Sequence, residues 1–368
     1  MNILRRLPLS RLLLLCALVV AVGVSATALA SALSTAPTPS PKPLAAAVHD
    51  ALAAPAVEGV SANVQLTDHL LEGANLAGSN GEAGQLSSSA LISGASGRLW
   101  IAKDGRVRLE LEAEKGDTQI LYDGHTVRLY DASKNTLYRY TLPSHAEQAP
   151  AEPTDSSAHE APSLAKIEEA ISDLRKHADV SGPTPGDVGG QPAYTVRLSP
   201  KESGSMLDGV ELSWDATHGV PLRTAVYSTT SSSPVLELAA SEVSYGPVES
   251  SVFDFTPPPG VKVEDIETSS KPTSATSSGD SGSHPKVTIH GHGPGAVAVL
   301  EGNSTGSASK GSSSALSESL PKVKINGISA TELATPLGTL LSFERAGVHY
   351  LVAGSVTPAA VEEVARGL

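Results

Sequence analysis

Few residues in this chain have the types and spacing that chemistry requires. Gly302-Asn303-Ser304-Thr305-Gly306 has the G-x-S-x-G form of a nucleophile elbow, which presents a serine on a tight turn between a buried strand and a helix. Here the pentapeptide runs into "SASKGSSS", a Gly/Ser stretch without periodicity, so chance in a linker explains it better than hydrolysis. Asn303-Ser304-Thr305 is also a glycosylation sequon, a three-residue pattern of little weight by itself. His290 and His292, with His284 nearby, could set two imidazoles on one strand face as for a transition metal. No carboxylate or third histidine stands at useful spacing, and a solvent-exposed strand end accounts for the pair. Glu249 with Asp254, or Glu211 with Asp215, could be written as acid and base, but surface charge on strands is the commoner origin of such pairs. The glycines at 291, 293 and 295 have the wrong spacing for a dinucleotide loop and Pro294 interrupts them. The inventory yields no catalytic residue, no metal site and no cofactor.

The elements that would have to position such groups are mostly strands. "DTQILYDGHTVRLYD" places Asp123-Gly124 between two alternating runs, the strongest short-range signal for a hairpin with a two-residue turn. Centred there, Tyr122 opposes His125, Ile120 opposes Val127 and Thr118 opposes Leu129, all on one mostly apolar face. Gln119, Leu121, Thr126, Arg128 and Tyr130 share the other face, a mixed surface that tolerates water. Upstream, "RLWIAKDGRVRLELE" folds by the same logic about Asp104-Gly105. This sets Trp100 against Leu109, Ala102 against Val107 and Arg98 against Leu111.

Length and charge bound what surrounds these hairpins. The 368 residues are 18% charged and 40% hydrophobic, enough for one large or two modest cores. Arg5, Arg6 and Arg11 precede an apolar run from Leu12 to Val24, and Ala28-Leu29-Ala30 offers a cleavage site. Residues 1–30 therefore read as an export signal, or as an uncleaved anchor if the apolar stretch extends to about the 20 residues that span a bilayer. Either way the body lies outside the cytoplasm. Cys16, the only cysteine, sits inside that run, so the exported body has no disulfide and no cysteine nucleophile. Loss of three arginines and no acidic residue takes the formal charge from -13 to -16, a poor match for nucleic acid or an anionic membrane surface.

Along the chain, a proline-rich tether at 31–43 leads into a short helix from Pro43, with Leu44, Ala47, Val48, Ala51 and Leu52 on one stripe. Strands are expected near 60–68, 88–103, 106–113, 117–122, 125–131 and 136–141. Acidic and proline-bearing residues 145–162 form a loop, and a polar insert lies at 73–89. "SLAKIEEAISDLRKHADVSGP" then reads as an amphipathic helix capped by Ser163 and stopped at Gly182-Pro183, with Leu164, Ile167, Ile171, Leu174 and Ala178 on its apolar side. Further strands begin near 193, 209, 220 and 235, and the segment closes with "FDFTPPPGVKV". A Ser/Gly/Pro linker at 264–286 separates a small module, 287–368, of mixed α and β character. In it two strands turn at Ala346-Gly347, and Thr357-Pro358 starts a helix that buries Val361, Val364 and Leu368.

Taken in order, the short helix, the meander with "LYDGHTVRLYDASKNTLYRY", the interrupting amphipathic helix, "ELSWDATHGVPLRTAVYS" and "SVFDFTPPPGVKV" resemble the lipoprotein carrier family of LolA and its relative RseB. The resemblance covers residues 44–263. It implies a mainly β, α+β architecture: a half-open, strongly curved antiparallel β-barrel whose concave apolar face is covered by a helical lid, with the C-terminal module appended. It further implies non-catalytic binding or carriage of a lipid or lipoprotein acyl chain. The wall would be Trp100, Leu109, Ile120, Tyr122, Val127 and Leu129, and the cover Ile167, Ile171 and Leu174. The alternative is an RseB-like sensor that docks a membrane protein through residues 287–368. Burying an acyl chain of about 16 carbons at ~0.8 kcal/mol per methylene is worth roughly 12 kcal/mol against water, so no charged site is needed to hold it. This reading requires that the bent sheet and the covering helix enclose unfilled apolar space.

Overall fold

The computed structural model describes residues 38–71, 94–113, 116–142, 161–266, 286–303 and 320–368. Residues 1–30, read above as an export signal and containing Cys16, the insert at 73–89, residues 145–160 of the acidic loop, His284 and Ser304 lie outside the described residues. Among the described residues no helix is long and apolar enough to cross a membrane.

Helix α1 (Leu44–Ala53) precedes β1 (Gly59–Asp68), β2 (Ala95–Ala102), β3 (Val107–Glu112), β4 (Thr118–Tyr122), β5 (Thr126–Asp131) and β6 (Thr136–Thr141). Helix α2 (Leu164–His177) then runs without a break into β7 (Ala178–Val180) and β8 (Thr184–Val188). Next come β9 (Gln191–Pro200), β10 (Leu207–Asp215), β11 (Pro221–Ser228), β12 (Pro234–Tyr245) and β13 (Lys262–Asp265). The strands form one sheet in the order β13-β6-β5-β4-β3-β2-β1-β12-β11-β10-β9-β7, with β8 also beside β9. The two ends never pair, so the barrel is half open. Every pairing is antiparallel except that of β13 along β6. The long-range pair β1–β12 joins the two halves, and bulges at Asn63/Val64, Leu207/Gly209 and Ser213/Trp214 bend the strands around the concave face.

Both Asp-Gly hairpins form, and neither takes the expected register. About Asp104-Gly105 the loop has three residues: Ala102 N donates to Arg106 O at 2.9 Å and Gly105 takes a φ of 85°, the pattern of a type I turn with a glycine bulge. Leu99 therefore opposes Leu109 and Trp100 opposes Arg108. A slip of one residue moves a side chain to the other face, so Trp100 leaves the wall on which Leu109 stands. About Asp123-Gly124 the loop has two residues, but they are Gly124 and His125. The Asp123 carboxylate stands at the first turn position and accepts from His125 N (3.1 Å) and Thr126 N (2.8 Å). Tyr122 now opposes Val127 and Ile120 opposes Leu129. That slip is of two residues, so every side chain keeps its face.

The segment after β12 crosses the outer, convex face. Arg108 Nη1 donates to Val252 O (2.6 Å) and Asp254 O (3.1 Å), and the Phe255 ring lies 5.6 Å from that of Tyr130. Tyr130 and Leu121 are buried, so that part of the face expected to meet water is covered.

The second sheet comprises β14 (Lys286–His290), β15 (Val297–Asn303), β16 (Lys322–Ile325), β17 (Ile328–Thr335), β18 (Gly338–Arg345) and β19 (Val348–Gly354), in the order β14-β15-β19-β18-β17-β16. Helix α3 (Pro358–Arg366) packs Val361 and Ala365 on one face, against Leu341, Phe343 and Val352. The β18–β19 turn has positive φ at both Ala346 and Gly347, as a type I′ turn demands. The pair β16–β17, which turns in the same way at Asn326-Gly327, was not expected. The two sheets touch through turns: Met206 N donates to Ser355 O at 2.7 Å and Ser228 Oγ to Pro336 O at 2.5 Å.

The junction of α1 with the β10–β11 turn supplies a test of the fold. Gly219, at φ 68°, lies so close to the Ala51 carbonyl that no Cβ fits between them. Left-handed strain and overpacking together predict a loss of roughly 2–4 kcal/mol for Gly219→Ala. Thermal unfolding should show it, whereas Gly186→Ala, with open space at its Cβ, should leave Tm unchanged.

Candidate functional site

Strand register sorts the side chains of the large sheet into two faces. On the concave side one cross-strand row runs Ala62, Leu99, Leu109, Ile120, Leu129 and Tyr138 from β1 to β6. Beside it runs a second, Val60, Ile101, Val107, Tyr122, Val127 and Tyr140. No charged side chain interrupts either row. The residues from Leu109 outward are half-buried rather than sealed. Where β1 and β2 curve toward β11 and β12, the same face closes on a cavity of about 210 Å³. Val64, Leu99, Ile101, Leu222, Leu238 and Val243 are among its lining, and the cavity wall is almost wholly apolar.

Of the wall residues expected from the sequence, Leu109, Ile120, Tyr122, Val127 and Leu129 come together on this face. Trp100 does not. It stands on the convex face, between Ser61 of β1 and Arg108 of β3. The helical cover is also displaced. Ile171 packs with Leu44, Ala47, Tyr194, Val196 and Trp214, where α1 and α2 lie together over β9 and β10. Ile167 is buried, but Leu174 is 41% exposed. The cause is the direct passage from His177 into β7, which pairs Ala178 with Pro200 and Val180 with Leu198. Ala178 was expected on the helix; as a strand residue it ties the helix to β9. The empty volume is therefore beside α2 and not beneath it: no residue of the helix lines the cavity.

The β10–β11 turn, on the rim of the same face, was legible only as charge. Asp215 is completely buried and accepts from Tyr245 Oη at 2.6 Å and from the Thr217 and His218 amides at 2.7 Å each. The His218 ring lies 4.0 Å from that of Tyr245. Burial pushes the Asp215 carboxyl up, but the Tyr245 hydroxyl and the two amides outweigh it and hold it below the usual carboxylate value. Burial and the Asp215 charge push the Tyr245 hydroxyl well up, so it stays a donor. These three donors hold the turn in shape and keep solvent from the buried Asp215 carboxylate. Among the described residues no group of three or more His, Cys, Asp or Glu side chains converges, and His290 and His292 are both exposed.

No protein-family profile and no curated protein matches the chain. Solved structures do. The MucA/MucB complex of Pseudomonas aeruginosa aligns at TM-score 0.41 and 13% identity, over 87% of this chain and 95% of that one. A putative outer membrane lipoprotein-sorting protein domain from Vibrio parahaemolyticus aligns at 0.17 and 12%, over 57% and 94%. The LolA superfamily protein NE2245 from Nitrosomonas europaea aligns at 0.20 and 8%, over 84% and 90%.

Two predictions follow from this geometry. Trp214 is buried under α1 and Trp100 stands on the convex face, and these are the only tryptophans. Acrylamide should thus quench a component of the emission that disappears in Trp100→Phe; equal quenching in that variant would place Trp100 inside. The depressed Asp215 carboxyl contributes stability that is complete above the unfolded value near 3.9 and is lost as pH falls through the folded value. Asp215→Asn should cost roughly 2 kcal/mol at pH 7, and the deficit should shrink below about pH 4 in urea unfolding.

Proposed function

We propose that this protein, exported from the cytoplasm, binds one long apolar chain of the acyl type on the concave face and performs no covalent chemistry there. The observation that supports this most directly is the pair of uninterrupted apolar rows. From β1 to β6 they cross five strand spacings, about 24 Å, whereas one bilayer leaflet of acyl chain is about 15 Å thick. The cavity at the β1–β12 junction is smaller than the ~300 Å³ at which ligand pockets begin, so it receives the end of the chain while the open rows take the remainder. Half-burial suits the task. Against water, each methylene laid in the row gains up to ~0.8 kcal/mol, but against a bilayer the difference is small, so uptake and release are both accessible. Helix α2 is not the cover in this arrangement; with α1 it closes the far end of the concavity over β9 and β10.

A second reading, a regulatory protein that docks a membrane partner through the C-terminal module, is favoured by one observation. Val287 and Ile289 of the edge strand β14 are 58% and 66% exposed, on the side of the second sheet away from α3.

The acyl reading predicts that the delipidated full chain binds a fluorescent long-chain fatty acid. Ile120→Glu or Leu129→Glu should weaken binding by at least about tenfold, the effect of one buried charge worth roughly 1.4 kcal/mol or more. Leu52→Glu, on the exposed side of α1, should leave it unchanged. No binding by the wild type, or equal binding by all four proteins, would refute the reading.

A further inference from the structure

The convex face of the same strands carries a second patch, independent of the apolar rows. Two cross-strand rows of three lie side by side. One runs Trp100 (β2), Ser61 (β1), Ser244 (β12); the other runs Arg98, Asn63, Glu242 on the same strands. Together with Ala62 they line a shallow depression of about 280 Å³, open to solvent. Its shape follows from the residue sizes. Two serines beside a tryptophan leave a floor next to a tall ring. The crossing segment forms the rim on one side, with Val248 sitting over Gly59, the β1 residue one row beyond Ser61, and with Arg108 held by Val252 O.

The polar groups of the second row are not spent on one another. Asn63 Nδ2 donates to Glu242 Oε2 at 2.9 Å, which leaves the Asn63 carbonyl oxygen and the other Glu242 oxygen as acceptors. Arg98 is exposed and makes no ion pair or hydrogen bond among the described residues, although its β3 neighbour Glu110 is taken by Arg108. An exposed guanidinium with no partner among the described residues, standing beside an aromatic ring, can pair with a carboxylate through its forked donors. An aromatic face flanked by fixed acceptors and one forked donor matches a sugar ring, whose C–H face stacks on the indole while its hydroxyls pair at the edge.

We propose that this depression is a saccharide subsite for a pyranoside bearing a carboxylate. Trp100 is the stacking platform, Arg98 the partner of the carboxylate, and Asn63 and Glu242 accept from ring hydroxyls. The sugar is bound on the outside of the sheet whose inside holds the apolar rows, so occupancy of one face does not require the other.

The test uses the full chain and three probes: trigalacturonate, the neutral N-acetylglucosamine trimer and a triglutamate peptide. Trigalacturonate should bind and shift the Trp100 emission. Trp100→Ala should weaken it by at least about tenfold, and Arg98→Gln by about fivefold or more while leaving binding of the neutral trimer unaltered. Arg98 is exposed, so its variant remains informative even if Trp100→Ala proves poorly folded by circular dichroism. Absence of trigalacturonate binding at millimolar concentration, unchanged affinity in Arg98→Gln, or equally tight binding of triglutamate would each overturn the proposal.

Discussion

The identity of each face of the large sheet depends on how many residues sit in the β2–β3 loop. In a strand, neighbouring side chains point to opposite sides, so the parity of a hairpin loop decides which residues are inside. Three residues, Lys103 to Gly105, bring Leu99 and Ile101 to the concave face with Leu109 and Val107. With two, Trp100 and Arg98 would have entered and the apolar rows would break at their second strand. The glycine at the third loop position, with its positive φ, is what permits the longer loop. The apolar rows and the polar patch both follow from this single count.

Around that frame the remaining elements are placed by tethers rather than by their own preferences. The amphipathic stripe of α2 would serve many apolar surfaces, but the strand that begins at Ala178 fixes the helix beside β9. Helix α1 is held likewise at its C-terminal end, where Ala51 meets Gly219 in a turn organised by buried Asp215. The segment from 246 to 255 does the opposite work on the convex side, sealing Tyr130 with Phe255 and stopping at Arg108. It leaves Trp100 and Arg98 outside its cover. The result is a concavity closed at the β9–β10 end and open across β4 to β6.

Much of this was legible in the sequence, and the exceptions have physical causes. Strand positions and the apolar character of Leu109, Ile120, Val127 and Leu129 follow from alternation, and Ala346-Gly347 and Thr357-Pro358 mark their turn and helix start through local backbone chemistry. Asp-Gly, in contrast, fits more than one loop. At 123–124 the aspartate side chain captures two amides and stands outside the loop, while at 104–105 the same pair closes a longer one. The even slip is harmless and the odd one moves Trp100 across the sheet. The β16–β17 hairpin carried an Asn-Gly signal as strong as any, masked by the Gly/Ser-rich stretch before it. Burial of Asp215 depends on Tyr245, thirty residues away on another strand, and no local pattern reports such a contact.

Photo-crosslinking the delipidated full chain with a fatty acid carrying a diazirine along its tail tests the central claim most directly, because it reads the face as well as the fact of binding. The two-faced sheet predicts adducts at Leu99, Leu109, Ile120, Leu129 and Leu238. Adducts at Trp100, Arg98 or Leu121 instead, or confined to α2, would contradict it.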